Sequence, residues 1–528
     1  MGAGVPGDSS GSVVPLLVGI LGPRAITDGE AACVRSVVGD VLPEISQAYP
    51  HSQVIAITSM AAGTDTVAAQ TAHELGYQVL ALLPLDVDDY ARDFGVNEAP
   101  LTDRLALTHG WWVNPGPAGS RDARYQSCGR LLARLSTAML VAWNGAPPEK
   151  PGGTSDTLYF ATPEVAALPD LSGGPSALTT ERGDVIAFAP DGSEPLAGVG
   201  PGLTRRPWIP GEDPVSKQID EFNRTAGPTS RRSGAVIAVQ EAADELASRL
   251  QRRYRRWTTY LLVLGVLAIV SVDIQAELSR AWFLGVQVLA LAAVLGIWWG
   301  MTRWGGKRRF EEYRALAEGA RVQEAWQRAG VDACVADYYL QPAGQEGYWI
   351  RRALRTAWFL DLIAPASPIG NPNPQSALEW IEGQLRYFEG AASRPGAISR
   401  NASRAAQMTR LAWAFAALAL AGLLPGLLSV MAGAAFDAWV ISLGMLAWGL
   451  GGAAAAASVA YSQLMGYSRA AKRGRLSLEM YRQALIDFDS AGSSAGAQRG
   501  IVLEVGQEAL RETGDWLVMN TSQSIRPV

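Results

Sequence analysis

Four long stretches of this 528-residue chain contain no Asp, Glu, Lys, Arg or His, and no other feature constrains the fold as strongly. They run Trp257–Val272, Ala281–Thr302, Leu411–Phe436 and Ala438–Ser468, or 16, 22, 26 and 31 residues. A helix needs about 20 apolar residues to cross the hydrocarbon core of a bilayer. Three runs meet that length. The first falls short by about a turn, but Arg255 and Arg256 border it, and their long stems can reach back to the interface. The pattern predicts four membrane-spanning helices in two hairpins rather than buried core helices of a soluble protein.

Basic residues give the expected orientation. Arg252, Arg253, Arg255 and Arg256 precede the first run, and Arg303, Lys307, Arg308 and Arg309 follow the second. Arg404 and Arg410 precede the third, and Arg469, Lys472, Arg473 and Arg475 follow the fourth. The tips between paired runs hold only Asp273, Glu277 and Arg280 in one case and Asp437 in the other. Positive charge stays on the cytoplasmic side, so both tips are expected outside and both termini inside. The two hairpins read as a loose duplication, each ending in an amphipathic helix with a Tyr-Arg pair (Tyr313-Arg314, Tyr481-Arg482). Stripes such as Phe310, Tyr313, Leu316 and Ala320, or Tyr481, Ala484, Leu485 and Phe488, suit packing in a bundle or oligomer. No charged residue lies inside a span, which argues against a proton-coupled transporter. Pro425-Gly426 interrupts the third run, and small residues dominate the fourth. Such a run serves tight packing within a monomer or a helix lining a subunit interface or pore.

Composition excludes several alternatives. Charged residues make up 18% and the net charge is -5, so direct nucleic-acid binding is not expected. Cys33, Cys128 and Cys334 form no C-x-x-C pair, and His51, His73 and His109 form no H-x-H or H-E-x-x-H. Neither a disulfide scaffold nor a metal site is expected. The N-terminus has no signal-peptide pattern, which leads us to expect a cytosolic start.

Residues 13 to about 190 alternate between apolar strand-like runs (13–20, 53–58, 78–83 and 138–143) and helical stretches (28–49 and 64–75). Continuous apolar strands separated by helices predict a parallel sheet covered on both faces. In such sheets ligands bind beyond the carboxyl ends of the strands. Three small-residue loops follow strand ends: Gly19-Ile20-Leu21-Gly22-Pro23-Arg24, Ser59-Met60-Ala61-Ala62-Gly63-Thr64-Asp65 and Pro151-Gly152-Gly153-Thr154-Ser155-Asp156. Glycines let backbone N–H groups approach phosphate, and helix N-termini favour its charge. The expected nucleotide-binding residues are Gly19, Gly22, Arg24, Ser59, Gly63, Thr64, Asp65, Gly152, Gly153, Thr154, Ser155 and Asp156. Pro84, closing the third strand, and Asn144 and Gly145, after the run ending at Trp143, complete the set. Arg92 is a weaker candidate for phosphate. Without G-x-x-x-x-G-K-[ST], the chain is not a P-loop enzyme.

The stretch SMAAGTDTVAAQTAHELGYQVLALLP resembles the S-G-x-A-x-G-x-D segment of the DprA/LOG-like Rossmannoid superfamily known as SLOG, and PGGTSDT resembles its P-G-G-x-G-T loop. PLDVDDYARDF is similar to a P-x-x-x-x-x-Y-x-x-D-F segment of its membrane-linked members, and FEEYRALAEGARVQEAWQRAG resembles SLATT-type two-helix effector modules. The resemblance implies a sensor of a nucleotide second messenger, ADP-ribose-like or a cyclic nucleotide, in bacterial conflict or antiviral defence. Such a sensor would control a channel or pore in the bacterial inner membrane, assembled as a homo-oligomer, with no permanent cofactor. LOG-type hydrolases carry a glutamate after their P-G-G-x-G-T loop. Here Thr154-Ser155-Asp156-Thr157 follows Gly153, so no catalytic residue is assigned and binding without turnover is favoured. A membrane-anchored nucleotide hydrolase using Asp65 or Asp156 and a membrane-anchored scaffold are the alternatives.

The expected organisation is therefore an α/β Rossmann-like cytosolic domain plus an all-α membrane domain. Its parts are a flexible N-terminus (1–12), a nucleotide-binding domain (13–190) and a Pro/Gly/Arg-rich linker (191–233). A first hairpin module (234–330), a connecting segment (331–408), a second hairpin module (409–490) and a C-terminal cytosolic segment (491–528) follow. The helix expected from Gly234 to Arg256 runs directly into the first span.

Overall fold

A computed structural model describes residues 11–95, 98–117, 119–145, 150–161, 184–191, 211–228, 234–278, 282–304, 306–340, 347–364, 372–393, 396–433 and 435–522. Most of the expected linker (192–210, 229–233), residues 1–10 of the expected flexible N-terminus and Arg280 at the first hairpin tip lie outside the described residues. The chain forms two compact units. One comprises 1–246, 312–373 and 506–528, the other 247–311 and 374–505.

The elements begin with β1 (Leu16–Leu21), α1 (Asp28–Ala48), β2 (Val54–Thr58), α2 (Thr64–Glu74) and β3 (Gln78–Leu83). Then come α3 (Val87–Ala91), α4 (Leu101–Leu105), β4 (Gly110–Val113), α5 (Arg121–Leu135) and β5 (Ala138–Ala142). They continue with α6 (Thr154–Ala161), β6 (Asp184–Phe188), α7 (Pro214–Ala226), α8 (Ala235–Leu278), α9 (Trp282–Trp304) and α10 (Gly306–Ala329). The last are α11 (Tyr348–Ile363), α12 (Pro374–Ala392), α13 (Ala397–Ala432), α14 (Ala438–Met465), α15 (Tyr467–Ser490) and α16 (Ala495–Ser522).

The first unit holds a six-stranded, all-parallel sheet in the order β4-β3-β2-β1-β5-β6. Val18 in β1 registers with Ala56 on one side and Ala138 on the other. Every residue of β1, β2 and β5 is buried, as expected of central parallel strands whose two faces are both covered. The parallel α/β sheet expected from sequence is present. Sequence reading missed β4 and β6, the two edge strands, which are short; β4 is only half-buried.

Helix α11 completes this unit from the stretch read as a connecting segment. Its Phe359 and Ile363 join Leu17, Ile55, Leu82 and Met139 in the core. Three of its arginines are at most 2% exposed and tie distant pieces of chain together. Arg351 Nε donates to the Ala336 carbonyl at 3.1 Å. Arg352 donates to the carbonyls of Arg134, at 2.7 Å, and Ser136. Arg355 pairs with Asp337 at 2.8 Å. Asp361 on the same helix accepts from the backbone N–H groups of Ala235 (2.5 Å) and Val236 (3.2 Å), satisfying donors in the first turn of α8 that helix geometry leaves open.

The second unit contains long apolar helices. Among the described residues, four helices are long and apolar enough to cross a membrane. They leave large side chains such as Leu289, Trp413, Val430 and Met431 more than 70% exposed, an apolar surface suited to lipid. Helices α13 and α14 approach at backbone distance: a Cβ on Gly444 would collide with the Gly422 carbonyl and the reverse, and one on Gly451 would meet Phe415 and Ala419. This face of the small-residue run thus packs inside the chain, while nothing lies within 4 Å of the position a Cβ would take on Gly452. α13 continues through Pro425. The stripe of α15 is buried on α12, with Tyr481 stacked on Phe388 and edge-on to Trp380.

Candidate functional site

The chain lays down β1 to β4 outward in one direction, then returns to add β5 on the other side of β1. Strand order therefore reverses between β1 and β5, the place where open parallel sheets leave a crevice beyond their carboxyl ends. The three loops named from sequence follow β1, β2 and β5, which are neighbours in the sheet.

The first two loops are built against each other. The Thr64 N–H donates to the Pro23 carbonyl at 3.1 Å. Gly63, at φ +71°, has backbone that few side chains tolerate, and a Cβ there would collide with the carbonyls of Pro23 and Arg24. A Cβ on Gly22 would overlap the Thr64 side chain. Asp65 is 2% exposed, and its Oδ2 accepts from Ser59 Oγ at 2.7 Å and from the Ala61 N–H at 3.4 Å. Burial raises its carboxyl above the usual range, with the Ser59 hydroxyl opposing that shift. The loop is held by this aspartate, and Arg24 remains exposed at its edge.

The third loop leads into α6 with Gly153 as the residue before its first turn: the Thr157 N–H donates to the Gly153 carbonyl at 2.9 Å. Asp156 is fully buried; its Oδ2 accepts from the Gly152 N–H (2.7 Å) and Gln126 Nε2 (3.2 Å), while Oδ1 has no partner among the described residues. Ser155 Oγ accepts from Trp143 Nε1 at 2.9 Å. Gly152, at φ +73°, abuts the Tyr125 backbone.

Tyr125, on α5, connects the two sides of the crevice and was not singled out from sequence. Its ring lies 5.6 Å from the Arg24 guanidinium, and its hydroxyl donates to Asp93. Burial pushes that hydroxyl up to about 12; the Asp93 contact adds to the rise and Arg24 opposes it. Asp93 also pairs with Arg121 at 2.5 Å, and Arg121 reaches Asp89 at 2.9 Å. The available signal was Ser120, which caps α5 by accepting from the Ala123 N–H; read as an N-cap, it would have marked a helix over 121–135.

The remaining expected residues are placed less centrally. Gly19 lies inside β1, where a Cβ would collide with Ser136, so it makes room for packing below the loop. Pro84 is buried at the end of β3. Asn144 is exposed and Gly145, at φ +83°, follows it. Arg92 lies on the surface, paired with Asp89 at 3.6 Å. Among the described residues, no group of three or more His, Cys, Asp or Glu is arranged to hold a metal ion.

The crevice thus presents the partly exposed N-terminus of α6, glycine-opened backbone and the Arg24 cation, while the start of α2 is closed by the Pro23 carbonyl. Together these suit an anionic, phosphate-bearing group. No family model, curated protein or solved structure matches the chain.

Proposed function

We propose that the α/β unit is a receptor for a nucleotide-derived ligand, and that the apolar helices form the membrane effector it controls. The observation that carries this reading is the crevice at the β1/β5 reversal, where the β1 and β5 loops meet a shared Tyr125 beside the N-terminus of α6. Phosphate would lie over the start of α6 with Arg24 as its counter-charge, and a base or ribose would extend beside Tyr125. Both carboxylates of the loops are buried and take up protein N–H or O–H groups, which favours binding over hydrolysis. The resemblance in sequence adds a nucleotide second messenger in a bacterial conflict system as the setting. It also adds a homo-oligomeric channel or pore in the inner membrane, with both termini cytosolic, as the output.

A thermal-shift screen of the detergent-purified chain tests the receptor. The panel comprises ADP-ribose and its cyclic isomers, NAD, cyclic oligonucleotides, AMP and ATP. A ligand at 100 times its Kd stabilises the folded state by about 2.7 kcal/mol. Gly153→Glu places negative charge at the start of α6; its Cβ meets only the Lys150 carbonyl, at 3.2 Å, which must yield by a few tenths of an ångström, so the variant's own melting temperature is measured first to show that it folds. The expected result is a shift with one ligand that Gly153→Glu abolishes. An unchanged shift in that variant overturns the site.

A further inference from the structure

We infer that the second unit carries a binding groove for one anionic phospholipid, formed by α13 with α14 and α15. The inference is independent of the nucleotide site and requires only that α13 and α14 lie in a bilayer. Two cavities lie in line along α13. The first, about 480 Å³, is lined by Ala412, Trp413 and Ala416 facing Ala455, Ala456 and Val459. The second, about 460 Å³, is lined by Ala402 and Ala405 facing Ser468, Ala471, Lys472 and Arg475. On α13 the positions 402, 405, 409, 412 and 416 recur every three or four residues, so both cavities open on one helix face. From 402 to 416 that face extends about 21 Å along the axis.

The groove changes character along its length. Within the apolar run of α13 it is floored by alanines and flanked by Trp413, a surface fit for an acyl chain. Beyond Arg410, where the apolar run has ended, it turns cationic. Neither α13 nor the stretch from Ala438 to Leu478 contains an aspartate or glutamate. Lys472 and Arg475 are exposed and make no ion pair among the described residues. Glu479, one turn beyond Arg475, pairs with Arg482 at 3.2 Å instead, and Arg482 also takes Glu389 at 3.3 Å. Two unneutralised cations and a Ser468 hydroxyl lining one cavity, in line along α13 with an apolar one, match the phosphate and chain of an anionic phospholipid. Basic recesses between helices at this depth recognise such headgroups.

Native mass spectrometry of the full chain, released from micelles containing phosphatidylglycerol or phosphatidylcholine with the same acyl chains, tests the groove. The expected result is one retained phosphatidylglycerol per chain, not displaced by excess inorganic phosphate, with phosphatidylcholine lost. Lys472→Glu/Arg475→Glu alters exposed side chains only and should reduce retention at least tenfold. Arg256→Glu/Arg303→Glu, an equal change of charge at the other hairpin, should leave it intact. Ala412→Phe fills the apolar cavity without changing charge and should also weaken retention. Equal retention of both lipids, or equal loss in the two charge-reversed variants, overturns the proposal. So does a lipid-free dimer, which would make a second copy the occupant.

Discussion

His109 illustrates how a single side chain sets a pH limit on the α/β unit. Its Nδ1 accepts from the Val79 N–H at 3.2 Å, and its ring lies 5.8 Å from His73. Burial and the neighbouring His73 depress its pKa below the ordinary value of 6.5. The fold therefore favours the neutral ring. Its contribution is fully present above about pH 6.5, where the unfolded chain is also neutral, and is lost as pH falls through the lower folded value. Melting curves at pH 7.5 and pH 5.5 should show a decline on acidification that is shallower in His109→Gln. Equal slopes would mean that this ring does not contribute. Few such roles were legible beforehand: that Asp65 and Asp156 each accept a backbone N–H of their own loop follows from burial, which no local sequence pattern gives.

For the elements, the clearest contrast lies within α14. Gly444 and Gly451 meet α13 at backbone distance, whereas a Cβ on Gly452 would meet nothing within 4 Å. A side chain at 444 would have to push the Gly422 carbonyl aside. Gly444→Leu is expected to destabilise the hairpin by about 1–3 kcal/mol, the range for overpacking a close contact, while Gly452→Leu should be near neutral. Thermal melting in detergent distinguishes the two; equal effects would mean that α13 and α14 do not pack through this face. Sequence reading identified the small residues but not which of them touch. Helical phase relative to a partner is a property of the pair, and a run of adjacent glycines and alanines presents small residues on every side.

At the scale of the whole molecule, the α/β unit is not a contiguous piece of chain. Phe222 of α7 packs with tilted rings against Tyr313 and Trp349, Phe359 and Ile363 join the core of the sheet, and Gly506 lets α16 approach Trp326. A fragment ending at residue 233 lacks all these partners. It should melt without a sharp transition and bind an apolar dye such as ANS, whereas the full chain in detergent should melt cooperatively. A cooperative, dye-free fragment would show that α10, α11 and α16 are dispensable to the sheet.

The sequence by itself determined the four helices long and apolar enough to cross a membrane, because a long run without charge has few places to go, and it determined the central strands, because strands buried on both faces read as unbroken apolar segments. It also located the three loops, since glycine marks the positions where backbone must come close to something. Only the tertiary structure decided that those loops follow adjacent strands at a reversal of strand order, and that Tyr125 stands between them. Only the structure, likewise, recruited α11 with its three buried arginines into the first unit. Arginines in sequence read as surface; they are buried here because carbonyls and a carboxylate from distant segments converge on them. That convergence depends on contacts between residues as much as 218 positions apart, which no local pattern encodes.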